Sequence, residues 1–275
     1  MRYTSGMNRV LKRIIIGIIF VLIVAGIGYG INYLNTERPT CSDGVKNGEE
    51  EGVDCGALAC GVECPPVFIS IELSSQKIFK ISEGDYDFVV KLSNSNDEFG
   101  TAEAVYDLIL FDENNNEIYR KEGVFYILPG QTKFLVETSL KVNGVVRGDV
   151  EVKRIQWEKL DSLGAVNFSL VNQEKSVVGD NSELIGVIFN DSDFDFDKVD
   201  ISIILTEVEG SVVVVNKTNV RTLLAHTERQ FIVRWPLILD FQNLKTTIEF
   251  NTNLFLNSNF IKKYGAPEEK FQQYY

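Results

Sequence analysis

Apolar positions follow two different rhythms along this chain. From Ile14 to Leu34 they run almost unbroken, IIIGIIFVLIVAGIGYGINYL, without a charged residue. A helix rising about 1.5 Å per residue over that length reaches roughly the 30 Å hydrocarbon thickness of a bilayer. The run therefore predicts a membrane-spanning helix. From Val67 onward the pattern breaks into short stretches rich in Val, Ile, Tyr and Phe: ISIEL, YDFVVKL, AVYDLILFD, EIYR, KFLVET and VEVKRIQW. Turn clusters separate them, such as Asn94-Ser95-Asn96-Asp97, Asp112-Glu113-Asn114-Asn115-Asn116 and Pro129-Gly130. Phe134 and Val136 alternate with Lys133 and Glu137, and Val150 and Val152 alternate with Glu151 and Lys153. That is the period of strands with one face on a core. No helical period follows the first run, so an all-β fold is expected beyond it.

The strand pattern also repeats. Asn94 in VVKLSNSND aligns with Asn190 in GVIFNDSDF, Val105 with Val199, and Phe134 with Phe231, at offsets of 96, 94 and 97 residues. Nearly constant offsets across three strands argue for tandem copies of one domain. The expected order is a cytoplasmic N-terminus (1–13), a transmembrane helix (14–34) and a Cys-rich linker (35–66). Two β-sandwiches follow, at 67–161 and 162–257 with a boundary near Asp161–Gly164, and then a C-terminal tail (258–275) whose last ten residues are expected to be frayed or a short helix.

Charge orients this plan. Arg2, Arg9, Lys12 and Arg13 precede the apolar run, and only Glu37 and Arg38 follow it closely. The positive-inside rule then keeps the N-terminus in the cytoplasm and exports the rest, giving a single-pass cell-membrane protein. A cleaved signal peptide shares these features, but its apolar region is about 7–15 residues and this one is longer, so a retained anchor is expected. Net charge is −12 overall, and residues 39–275 carry 22 basic against 38 acidic side chains. Such an acidic surface repels phosphate backbones, so nucleic acid is not an expected partner.

All four cysteines, Cys41, Cys55, Cys60 and Cys64, fall in one segment with little apolar mass. On the exported side an even, clustered set reads as two disulfides, with three pairings open. A zinc site is disfavoured by the lack of a CxxC pair. The segment resembles a small Cys-rich motif of bacterial surface proteins, CxDGxxNGxExxVDCG followed by two cysteines, matched by Cys41, Asp43, Gly44, Asn47, Gly48, Glu49, Val53, Asp54, Cys55, Gly56, Cys60 and Cys64. Ala57 departs from it where a second glycine is usual. Asp43, Asn47, Glu49 and Asp54 are candidate calcium ligands, crowding oxygens onto a Gly-punctuated loop without EF-hand spacing. A disulfide-pinned spacer with solvated acids is the expected reading, and no cofactor is otherwise required.

Val105-Tyr106-Asp107-Leu108 and the Leu128-Pro129-Gly130 turn resemble the FxLYD-like and related immunoglobulin-like β-sandwich domains of bacteria. That resemblance implies binding or spacing rather than catalysis. The second copy departs from it, with Leu224-Ala225-His226 replacing Pro-Gly. His226, the single histidine, lacks a nucleophile or orienting acid in any recognisable motif and reads as an exposed turn residue. Asp191, Asp193, Asp195 and Asp197 alternate with Ser192, Phe194 and Phe196. An acidic strand face over core phenylalanines is expected there, rather than a calcium loop. Trp157 and Trp235 are expected as core residues at matching ends of the copies. Asn167, Asn190 and Asn216 head glycosylation sequons. No P-loop, GxSxG, HExxH or paired-carboxylate motif is present. A non-catalytic, membrane-anchored interaction or spacer module, facing a protein or cell-surface ligand, is the expected function. The alternatives are an accessory subunit of a membrane complex and, more remotely, a calcium-dependent adhesion module.

Overall fold

A computed structural model describes residues 9–35, 41–160 and 166–258. The boundary expected near Asp161–Gly164 and the tail beyond Ser258 lie outside the described residues. The chain divides into two compact units, 1–67 and 68–275.

In the first unit, α1 (Arg9–Asn35) contains the stretch Lys12–Tyr33, long and apolar enough to cross a membrane and with none of it buried. Residues 41–64 then fold through turns and two isolated bridges, Gly52 with Cys55 and Gly56 with Val62. Val45, Val53, Leu58 and Val62 all point outward. This segment has no apolar core, so its two disulfides, Cys41–Cys60 and Cys55–Cys64, hold it.

The second unit is all β. Its first half supplies β1 (Glu72–Ser82), β2 (Asp85–Ser93), β3 (Phe99–Phe111), β4 (Glu117–Ile127), β5 (Thr132–Lys141), β6 (Arg147–Ile155) and the two-residue β7 (Glu158–Lys159). Sheets β1-β2-β5 and β4-β3-β6 enclose a core that includes Phe88, Val90, Leu92, Tyr106, Leu108 and Leu110, while β7 pairs with the start of β3. The second half supplies β8 (Phe168–Val178), β9 (Asn181–Asn190), β10 (Phe196–Thr206), β11 (Val212–Leu223), β12 (Glu228–Trp235) and β13 (Lys245–Asn251). Sheets β8-β9-β12 and β11-β10-β13 enclose a second core around Leu184, Ile188, Ile201, Ile203, Phe231 and Trp235. All pairings are antiparallel and the strand order is the same in both halves.

A third apolar cluster joins the two sandwiches. Phe79, Val89 and Val136, on the outer face of β1-β2-β5, pack with Ile204 and Val215 of β10 and β11. Five such side chains leaving water are worth on the order of 10 kcal/mol as an upper bound, far more than exposed ion pairs supply. This seam covers β2 and β10 on both faces. It accounts for the unbroken apolar runs Phe88-Val89-Val90 and Ile203-Ile204-Leu205, which a strand with one wet face would not need.

The seam overturns one reading of the alternation in β5. Lys133 is in register with Leu92 and Glu137 with Phe88, both core-facing, whereas Phe134 and Val136 oppose Lys91 and Val89. Phe134 and Val136 therefore face the second sandwich, and the charged residues point inward, 6% and 7% exposed. ISIEL also differs from expectation, because pairing begins only at Glu72. Ile69 instead bonds through its N–H and carbonyl to the Asn96 side chain, at 2.8 and 2.7 Å, which replaces a neighbouring strand.

Candidate functional site

Asp43 and Asp54, two of the sequence-predicted calcium ligands, turn their oxygens onto N–H groups of the same segment. Asp54 accepts the N–H groups of Asp43 and Gly44 at 3.0 and 2.8 Å, and Asp43 accepts Val45 N–H and the Asn47 amide, both at 2.9 Å. Glu49 is exposed. Its neighbour Glu50, 5% exposed and missed from sequence, accepts Asn47 and Asp54 N–H. These acids brace turns, as short Asx-type bonds do. Disulfide formation also removes the thiolates a zinc site needs.

Asp191, Asp193 and Asp195 lie in the loop between β9 and β10 rather than on a strand face, although Phe194 and Phe196 are in the core as expected. The strand is displaced because Asn190 turns the chain. Fully buried, its amide donates to Phe194 O and Leu224 O at 2.7 and 3.0 Å. Asn94 does the same in the first sandwich, donating to Phe99 O and Leu128 O at 2.7 and 2.9 Å. Burial of Asn190 closes that sequon to modification in the folded chain. His226 is an exposed turn residue, its Nε2 3.0 Å from Asp193 Oδ1. Its φ of 54° matches the 61° of Gly130, so the departure from Pro-Gly is chemical and the turn itself is kept. Trp235 is buried in the second core with its indole N–H on Val215 O. Trp157 stacks on Phe68 after β6. The two tryptophans do not occupy matching ends, since β12 corresponds in strand order to β5 and not to β6.

The concentrated electrostatics lie at the seam, where sequence gave no motif. Glu137 Oε1 takes Lys217 Nζ from the second sandwich at 2.8 Å and the Tyr106 hydroxyl at 3.0 Å, and Oε2 takes Lys121 Nζ at 2.6 Å. Burial alone would raise the Glu137 pKa, but Lys217 and Lys121 outweigh it and hold it below the usual carboxylate range. Burial, reinforced by Glu137, pushes the Tyr106 phenol far above its ordinary value.

Beside this network Lys133 holds its ammonium 3.5 Å from the centre of the Tyr126 ring. Burial pulls its pKa down to about 7, only partly opposed by Asp200 and Glu249. Both of those carboxylates are engaged elsewhere. Asp200 bonds Lys198 at 2.7 Å and the Tyr126 hydroxyl at 3.3 Å, while Glu249 accepts Phe134 N–H at 2.9 Å. A cation–π contact contributes about 0.5–2 kcal/mol, against several kcal/mol for withdrawing an ammonium from water. Tyr126 therefore does not offset the burial of Lys133. A cleft of about 630 Å³ opens here, lined by β4 and β5 on one side and by β10, β11 and residues 251–256 on the other.

No known family model matches the chain, and no curated protein matches it. Among solved structures, a calcium-binding mutant of Bacteroides uniformis beta-glucuronidase 2 shares 10% identity over 62% of this chain and 27% of its own, with a TM-score of 0.19. Red sea bream transglutaminase shares 12% over 71% of this chain and 30% of its own, also at 0.19. The chain spans less than a third of either protein. At that degree of superposition neither carries an argument about this chain.

Proposed function

We propose that this chain is a non-catalytic, single-pass membrane protein whose two sandwiches are displayed outside the cytoplasm as one interaction or spacer element. The observation that carries the reading is the seam. Phe79, Val89, Val136, Ile204 and Val215 fuse the sandwiches into one unit, as suits an element that presents a fixed surface. The unpacked apolar helix Lys12–Tyr33 supports anchoring, and paired disulfides at 41–64 support an oxidising compartment. Equal strand order in the two halves, and the matching bonds of Asn94 and Asn190, support tandem copies of one immunoglobulin-like domain. The Cys-rich motif and the FxLYD-like resemblance fit the same reading.

Topology is tested on cells or spheroplasts making the full chain. Added protease is expected to reach the sandwiches from outside and to leave the N-terminal 13 residues protected. Sandwiches that stay intact until the membrane is lysed would contradict the proposal.

A further inference from the structure

The seam uses one face of the first sandwich, and among the described residues the second sandwich carries that face again without an apolar cover. Strand order makes β9 the counterpart of β2 and β12 the counterpart of β5. Val89 and Ile185 each stand five residues before the buried asparagines Asn94 and Asn190, which make matching bonds. Val89 is in register with Val136, and Ile185 with Ile232. In the first sandwich that pair is buried, 0% and 3% exposed, against Ile204 and Val215. In the second, Ile232 is 41% exposed. Ile185, Val187 and Phe189 alternate with the core residues Leu184 and Ile188, point outward, and belong to none of the three apolar clusters. Polar side chains rim this stripe. Ser169, Asn172 and Glu174 of β8 lie beside Phe189, Val187 and Ile185, and Gln230 of β12 lies beside Val187. An apolar centre with a polar rim is the form of a protein-docking face.

In the first sandwich the cover of this face is another sandwich of the same chain, and the surfaces of a second molecule narrow what could cover it in the second. Its β10–β11 face is already filled by its own first sandwich. The outer face of its β4-β3-β6 sheet is a network of ion pairs, Arg120 with Asp107 and Glu117, and Lys153 with Asp107 and Glu151. Laying apolar groups there would take those charges out of water. The β8-β9-β12 face remains, and it complements itself. Turned end for end about an axis across the strands, two such faces stack Ile185 of each copy over Val187 of the other. The same rotation brings exposed Glu228 over Arg234, whose side chain is 67% exposed. We propose that the chain forms a two-fold symmetric homodimer through the outer faces of β8-β9-β12, with Ile185, Val187, Phe189 and Ile232 at its centre. Three strands about 33 Å long and about 4.8 Å apart offer roughly 450–500 Å² per copy, so the dimer is weak, with a dissociation constant on the order of 10 μM. The dimer goes beyond the anchored-module reading and does not depend on it, since association is read in detergent whichever side of a membrane the sandwiches face.

The test is sedimentation equilibrium of the full chain in density-matched detergent, at concentrations from about 1 to 200 μM. A reversible monomer–dimer equilibrium is expected. Val187→Lys and Ile232→Glu, both on the outer face, should each weaken it at least about tenfold while keeping a cooperative melt. If one of the two fails to fold, the other decides. A monomer at every concentration would overturn the proposal. So would an open series of larger oligomers, the mark of head-to-tail docking on a different face. A dimer of unchanged strength in the folded variants, as association through α1 alone would give, would overturn it as well.

Discussion

Lys217 of the second sandwich reaches Glu137 of the first, Nζ to Oε1 at 2.8 Å, and meets a carboxylate whose side chain is only 9% exposed. This pair crosses the seam, and its two partners respond differently to mutation. Lys217→Met leaves Glu137 with Lys121 and Tyr106, and because Lys217 is itself half in solvent the loss is expected near 1–2 kcal/mol, below the figure for a fully buried pair. Glu137→Leu removes the charge entirely and is expected to cost less than Glu137→Ala, which adds a cavity. Chemical denaturation of the three variants checks the order.

Lys133 sets a distinct pH dependence. Its folded pKa lies near 7, below the ordinary lysine value, so between about pH 7 and pH 10 the unfolded chain binds more protons than the folded one. Stability contributed by this site therefore rises with pH across that window and is lost as pH falls towards 7. Asp200, Glu249, Lys198 and the Tyr126 phenol face the same site. The phenol, raised far above its ordinary value by burial, opposes further gain only above about pH 10. Thermal melts should show the rise, and Lys133→Met should abolish it.

Asp87 runs the other way. Burial raises its pKa to about 6, despite the Ser139 N–H it accepts at 2.9 Å. Between about pH 4 and pH 6 the folded state binds more protons, so this group's contribution falls as pH rises. Asp87→Asn keeps the acceptor and is expected to stabilise the chain at pH 7 by at most about 3 kcal/mol, with the gain gone below about pH 4. Melting curves at the two pH values decide it.

His226 occupies the left-handed turn conformation that Gly130 holds in the first sandwich. A side chain there costs about 1 kcal/mol relative to glycine. His226→Gly is expected to raise stability by about that amount, reduced by the lost contact with exposed Asp193. An equilibrium unfolding comparison is sufficient.

In the Cys-rich segment the oxygens of Asp43 and Asp54 are already occupied by N–H groups. Calcium is expected to leave its melting unchanged, while reduction of the two disulfides should unfold it at a cost of about 2–4 kcal/mol each. The cysteine-free sandwiches should keep their own transition. A saturable rise in melting temperature on adding calcium would restore the metal reading.

Much of the architecture was legible because its signals are local. The apolar run of α1, the clustered cysteines, the turn clusters and the recurrence of Asn94 as Asn190 each follow from neighbours in sequence. The seam was not legible, because it is built from residues far apart in the chain. Phe134 and Val136 alternate with Lys133 and Glu137 as they would on a one-sided sheet, and only the contact with β10 and β11 reveals that both faces are covered. The doubled apolar runs of β2 and β10 were the available clue. Strands such as β8 and β13 carried too little alternation to be located individually. For the same reason the cleft, whose walls come from both sandwiches, had no sequence motif.

The claim that the sandwiches form one unit is tested most directly by differential scanning calorimetry of the full chain in detergent. One cooperative transition for residues 68–275, with calorimetric and van't Hoff enthalpies equal, is the predicted result. Two independent sandwich transitions, unmoved by a polar substitution at Val136 or Ile204, would contradict it.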